Sequence, residues 1–437
     1  MNQPAALLTT RTTCRYCGGK ALSLILSLGA QPPSNSFLRS DQLVTEVRYP
    51  LDVYFCTDCA LVQLLDVVSA RAIFDDYVYL SSTSKALREH YARLAASLTE
   101  RFRLDRGDVV VDVGCNDGVL LQGYTLPGLE RVGVEPSKVG ETAEAAGLRL
   151  FHDFFSPALA HQMVKAHGSA RVVTATNVFA HVDDIGQFAN GLPLLLGRDG
   201  VCVIETPYLL DLVDGTLFDT VYHEHLCYLS LTPMVPFLAR HGLEVFDVER
   251  IPFGASGPAI RVFVQVSGAP HQHTAALGQM LAAEAQWGVH HLERYTGFAK
   301  RVAETRAAIL GLITQIQGTG ARLGGYGASA KGNTLLNYLG LTSATIEAIA
   351  ETNPRKQGLL TPGSHVPVIS EEQFLERMPP YALLLSWNYL DFFLAHSEYI
   401  RRGGRFVVPL PTPCLLPADQ CETGTEGRVG AGEQAGK

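Results

Sequence analysis

The stretch DVVVDVGCNDG, residues 108–118, decides how the rest of the chain is read. Val109, Val110, Val111 and Val113 form an apolar run broken only by Asp112, and a loop with glycine at 114 and 118 follows, where a helix should open. A short β-type run ending in such a loop is the start of a βαβ unit. Working outward, RVGVE (131–135), LRLFHDF (148–154), RVVTATNVF (171–179) and VCVIETP (201–207) read as further strands. Helices of about 10–15 residues fit each gap, which predicts a parallel sheet. A helix is expected from Thr232-Pro233, with proline at its first position. LEVFDVERI (243–251) and AIRVFVQV (259–266) then follow without an intervening helix. Parallel strands closed by an antiparallel pair are the class I methyltransferase pattern; a dinucleotide dehydrogenase would keep alternating.

The loop itself points to the ligand. It is not G-x-G-x-x-G, because position 116 is Asn. Gly114 and Gly118 let the backbone approach a ligand at a helix N-terminus. Asp112 and Asp117 would repel a pyrophosphate but suit the cationic methionine ammonium of S-adenosylmethionine (SAM). Glu135 ends the next strand, where a carboxylate takes both ribose hydroxyls. Asp153 and Phe154 end the third, suited to the adenine amino group and ring. Asn116 in the loop and Asn177 at the fourth strand face the same crevice. SAM is therefore the expected cofactor.

Two CxxC knuckles, Cys14–Cys17 and Cys56–Cys59, precede this block. Two such turns complete a tetrahedral four-thiolate Zn²⁺ site with no open position, so the metal is expected to be structural. Residues 75–101 begin with aromatic alternation and become a helix capped near Ser82 or Ser84. Residues 275–318 read as one long helical stretch, after which RLGGYG (322–327), TIEAIAE (345–351), YALLLSW (381–387) and RFVVPL (405–410) form a second alternating block. The expected architecture is α/β: a small zinc-binding domain (1–72), a Rossmann-like class I methyltransferase domain (73–272), a second, smaller Rossmann-like domain (273–416) and a disordered tail (417–437). Residues 1–13 are also read as disordered. In GGYGASAKGN (324–333), backbone N–H groups and Lys331 are placed to receive a diphosphate. Asn333, Tyr77 and Tyr79 are further candidates for substrate contact.

Composition narrows the classes. Of 437 residues, 47% are hydrophobic and 18% charged, a globular balance. The net charge of −8, without a basic run, argues against nucleic acid as a partner. No apolar run reaches the ~18 residues of a membrane span, and the first residues lack signal-peptide character. Nine cysteines are too few in a chain this long for a secreted disulfide framework. A soluble, cytoplasmic protein is expected, and a monomer is the working reading.

Beyond the fifth strand lies Asp219-Thr-Val-Tyr222-His223-Glu224-His225-Leu-Cys227-Tyr228. It is not H-E-x-x-H, since Cys227 stands where the second His would be. Histidine is the side chain best matched to taking a proton near pH 7. In an extended segment, Tyr222 and Glu224 would share one face and His223 and His225 the other. His181 follows the fourth strand and can reach the same pocket.

The cysteine quartet, DVGCNDG, NVFAH, YHEHLCYLS, GYGASAKGN, NPRKQG and GGRFVVPLP occur in one order over residues 14–411. In this the chain resembles the zinc-containing, SAM-dependent C-methyltransferases that act on nucleotide-linked 4-keto deoxysugars in antibiotic biosynthesis. The resemblance implies a C-terminal domain that helps hold the nucleotide sugar, a histidine base and a nearby tyrosine, which fall on His225 and Tyr222. A dTDP-linked 4-keto-deoxysugar methylated next to the ketone is expected, with C-3 put ahead of C-5 and the nucleotide base left open by the sequence. Phe253-Gly-Ala-Ser-Gly-Pro258 stands where relatives tend to have His-Gly-Gly-Ser. Three other readings stay open: an O- or N-methyltransferase on a small metabolite, an RNA methyltransferase with a zinc ribbon, and a SAM-binding protein without turnover.

Overall fold

The computed structural model describes residues 7–74, 79–254 and 257–417. Tyr77, Ala255, Ser256 and the tail from Ala418 onward lie outside them. A seven-stranded sheet runs in the order Leu243–Gly254, Gly257–Val266, Leu196–Pro207, Ala170–Thr176, Val109–Val113, Glu130–Val134, Arg149–Phe151. Its strands are parallel except Gly257–Val266, which pairs antiparallel with both neighbours. This is the expected class I methyltransferase sheet. Val109, Val110 and Val111 are all buried, as a strand covered on both faces requires.

Several local expectations are corrected. The first two crossover helices, Val119–Gly123 and Gly140–Ala145, are short, and only Pro157–His167 and Ile185–Leu195 reach 11 residues. The third strand stops at Phe151, so Asp153 and Phe154 sit in the loop beyond it. The helix expected from Thr232-Pro233 begins at Leu231. Its first amides, on Leu231 and Thr232, donate to the buried carboxylate of Glu284 at 2.7 Å, so a remote side chain supplies the cap. The stretch 275–318 is two helices, Ala275–Trp287 and Leu292–Gly318, because Gly288 takes φ +88° and ends the first. Residues 7–13, read as disordered, are described, and Leu8–Thr10 pairs antiparallel with Asp66–Val68. Helix Lys85–Arg101 is capped by Ser84, whose hydroxyl accepts from Leu87 N–H.

The C-terminal sheet runs Val368–Ser370, Ile349–Glu351, Leu323–Tyr326, Tyr381–Leu384, Arg405–Val408, Cys414–Leu416, parallel except for the last pair. That is the expected second Rossmann-like unit. The N-terminal sheet is antiparallel, in the order Cys227–Tyr228, Val62–Leu64, Tyr49–Cys56, Leu22–Gln31. Its edge strand comes from the segment just after His225, far away in sequence. One hydrophobic core joins the three sheets, from Phe55 and Leu61 through Val173 and Ile204 to Leu335 and Phe406.

Candidate active site

Both knuckles are turns of the N-terminal sheet. Cys56 ends the strand Tyr49–Cys56, and Cys59 lies in the turn toward Val62–Leu64. The four Sγ atoms of Cys14, Cys17, Cys56 and Cys59 lie within 4.8 Å of one another, with Cys14–Cys59 and Cys17–Cys56 at 3.6 Å. Thiolates at about 2.3 Å around a tetrahedral Zn²⁺ stand roughly 3.8 Å apart, so this donor set fits the ion. Cys115 and Cys202 are buried in the central domain, as expected.

The central loop presents its polar groups to a cavity of about 910 Å³. Asp112, Gly114, Asn116, Glu135, Asp153, Phe154 and Asn177 all stand on its wall. Asp112 accepts Thr174 Oγ1–H at 2.6 Å, and burial pushes its carboxyl up to about 7, with Glu135 adding to the rise. Gly114 has φ +70°, and a Cβ there would stand 2.3 Å from Val178 Cγ2. Glu135 organises the loop: it accepts the Asn116 amide at 2.9 Å and the Ser137 amide and hydroxyl at 2.9 and 2.6 Å. Asn116 in turn accepts Ser81 N–H and donates to Tyr79 O. The ring of Phe154 is 42% exposed, an open apolar face for a planar base. Asn177 Nδ2 is buried and has no hydrogen-bond partner among the described residues. A stranded donor on a cavity wall is what a polar ligand would satisfy, so the residues present fit SAM. Two residues expected at the cofactor stand away from the wall. Asp117 is off the wall, accepting Ser82 N–H at 3.0 Å, and Gly118 starts the next helix, packed so that a Cβ would meet Leu148.

The segment after the fifth strand is a turn rather than an extended run: His225 N–H donates to Tyr222 O at 2.8 Å. The face pairing is therefore Tyr222 with His225, ring centroids 3.9 Å apart, both on the cavity wall. His181 is on the wall as well, 4.9 Å from His225. His223 turns away and donates from Nε2 to Pro50 O at 3.2 Å. Glu224, expected among the catalytic groups, is buried off the wall, accepting from Ser34 Oγ at 3.2 Å and Asn35 Nδ2 at 3.1 Å. The carbonyl of Thr220 lies 2.7 Å from His225 Nδ1 and can only accept. The proton of the neutral ring is thus on Nδ1, and Nε2 keeps the lone pair. Burial, with a smaller contribution from the Lys331 charge, lowers His225 to about 4. A neutral imidazole with a free lone pair on a cavity wall can accept a proton.

The C-terminal domain closes the cavity. Gly327 (φ +83°) turns the chain after Leu323–Tyr326, and Ser329 caps the helix Ala330–Leu339. Three amides of this loop are already used: Ala328 donates to Glu351, Ser329 to Gly327 O, and Gly332 to Ser329 Oγ. Lys331 is buried on the wall, donating to Asn388 Oδ1 at 2.5 Å and sitting 4.7 Å from the Trp387 ring centre. Burial lowers its ammonium to about 8. Tyr79 is on the wall. Asn333 is not: fully buried, it donates to Ser34 O at 2.7 Å and ties this helix to the N-terminal domain. Sequence reading missed Glu351 and Lys356, both on the wall. Glu351 ends the second strand of its sheet as Glu135 does in the central one, a signal that was present in the sequence.

Family models match along the chain: a "Putative zinc binding domain" at 14–74, a "Methyltransferase domain" at 87–248 and a "C-methyltransferase C-terminal domain" at 255–411. The chain is 34% identical to C-methyltransferase NovU of Streptomyces niveus, over 93% of this chain and 97% of that protein. It is 28% identical to the ubiquinone biosynthesis O-methyltransferase of Azorhizobium caulinodans over 30% of this chain and 50% of that one. Among solved structures, a SAM-dependent methyltransferase of Clostridium acetobutylicum aligns at 12% identity and TM-score 0.32, covering 41% of this chain and 92% of that chain. The magnesium protoporphyrin IX methyltransferase of Synechocystis aligns at 15% and 0.32, covering 41% and 82%. With the match to NovU running nearly end to end, and a four-cysteine site ahead of a SAM-type sheet, the chain belongs to the zinc-containing, SAM-dependent C-methyltransferases.

Proposed function

We propose that the protein methylates the carbon next to the ketone, C-3, of a dTDP-linked 4-keto-deoxysugar. The observation that carries this reading is the His225 ring, held as a neutral base beside Tyr222 on the wall of a cavity that all three domains line. At about 910 Å³ the cavity is at the upper end for small-molecule sites, with room for a donor and an acceptor together. A hydrogen α to a ketone is acidic enough for a positioned base. His225 Nε2 takes that proton, and the Tyr222 hydroxyl or His181 donates to the developing enolate oxygen. SAM, held by Asp112, Gly114, Asn116, Glu135, Asp153, Phe154 and Asn177, supplies the electrophilic methyl group. Tyr79 and Lys331 face the sugar nucleotide, and the ammonium groups of Lys331, Lys356 and Lys85 on the wall offer positive charge to a diphosphate. Cys14, Cys17, Cys56 and Cys59 hold the zinc, which takes no part in the chemistry. Such a substrate is a soluble metabolite, which fits a cytoplasmic location; among the described residues no helix is long and apolar enough to cross a membrane.

The test is incubation with SAM and a panel of dTDP-4-keto-deoxysugars, read by mass spectrometry. A product heavier by one CH₂, with the label on carbon by NMR, is expected. Methylation of oxygen or nitrogen only, or of nothing in the panel, overturns the reading.

A further inference from the structure

The turn that carries His225 is fastened from the C-terminal domain by contacts outside the substrate wall. Asp219, in the turn Phe218–Thr220, is completely buried. Its Oδ2 accepts Trp387 Nε1–H at 2.6 Å, while Oδ1 has no hydrogen-bond partner among the described residues. Trp387 is the side-chain donor to this fully buried carboxyl group, beside the backbone N–H groups of Asp219 and Thr220, and the contact is costly to lose. The next residue, Thr220, offers the carbonyl that receives His225 Nδ1–H. Lys331 lies over the Trp387 ring, 4.7 Å from its centre, and is held by Asn388. Trp387 and Asn388 follow the strand Tyr381–Leu384, and Lys331 opens the helix after the adjacent strand Leu323–Tyr326. Both elements thus meet the His225 turn from one edge of the C-terminal sheet.

We infer that Trp387 of the C-terminal domain is a positioning residue for His225: it anchors the turn through Asp219 and Thr220. The domain then serves proton abstraction as well as substrate binding. This rests on the assignment of His225 as the base. Facing His225 are Thr220, Tyr222, His181 and Lys331, with Asp219 behind the turn. Asp219 is one peptide unit away, and its carboxylate is engaged by Trp387 and by the Lys331 charge.

The experiment is NMR of His225 in the full-length, zinc-loaded protein with S-adenosylhomocysteine, assigned with His225→Asn. It needs no sugar substrate. Trp387→Phe keeps a ring beneath Lys331 and removes only the N–H donor. It should abolish the downfield Nδ1–H signal of His225 while leaving SAM affinity within about twofold, less than one RT of binding energy. An intact Nδ1–H signal in Trp387→Phe overturns the assignment. If the wild-type protein methylates no keto sugar, the functional reading fails, and the Nδ1–H signal still decides this one.

Discussion

The backbone N–H of Leu64 donates to the carbonyl of Leu226 at 2.9 Å. Through it, Val62–Leu64 pairs antiparallel with Cys227–Tyr228, two residues past His225. The second cysteine knuckle and the His225 turn are therefore joined by a short strand pair. His223 and Glu224 add bonds to Pro50, Ser34 and Asn35 of the same domain. Metal binding and the placing of His225 share one small sheet.

Zinc removal should act through folding. Cys56→Ser leaves three thiolates, and a closed structural site that loses a ligand loses most of its contribution to stability. We expect one Zn²⁺ per wild-type chain by elemental analysis, and a lower folding yield and melting temperature for Cys56→Ser. Well-folded protein that contains no zinc contradicts this.

Glu135 is expected to matter for SAM in two ways, as ribose acceptor and as the group that holds the Asn116 and Ser137 amides. Glu135→Ala should weaken SAM binding by about 1.5–3 kcal/mol, the range for charged hydrogen bonds. Calorimetry with unchanged affinity rules the assignment out.

Asp112 offers a proton-linked check. Burial raises its carboxyl to about 7, so the free protein carries it partly protonated near neutrality. A cationic ligand beside it favours the ionised form. SAM binding should release protons at pH 6.5 and tighten as pH rises toward 8. Calorimetry in two buffers of different ionisation enthalpy reads the release directly; the same heat in both denies it.

His225→Asn should lower kcat by about 10²–10⁴-fold, the usual share of a positioned base, with SAM affinity near wild type. Solvent deuterium exchange next to the ketone, with methyl transfer blocked, should stop in the same variant. If both survive, the base lies elsewhere and His181 is the next to test. His225 also contributes to acid stability. Its folded value of about 4 lies below the ordinary 6.5 of histidine, so the unfolded chain binds the proton first. Its contribution is full above 6.5 and is lost as pH falls toward 4. Part of the acid destabilisation should disappear in His225→Asn, measured by urea melts at pH 7 and pH 5.

The strands of the central sheet, the cofactor loop and the metal donors were legible in the sequence, because each is written locally. Period-two and continuous apolar runs mark strands, glycine at 114 marks a turn that a Cβ would block, and CxxC places two thiols in one turn. A family resemblance carried by short motifs located His225 and Tyr222. Which side chains of YHEH meet was decided only in three dimensions. The Tyr222–His225 hydrogen bond closes a turn, and that sends Glu224 to Ser34 and His223 to Pro50. Asn333 reads in sequence as part of a ligand loop, yet its amide is spent on Ser34, hundreds of residues away. Asp219 meets Trp387 in the same way. Such contacts depend on how separate sheets dock through a shared apolar core, and no local pattern of residues encodes the partner of a buried polar group.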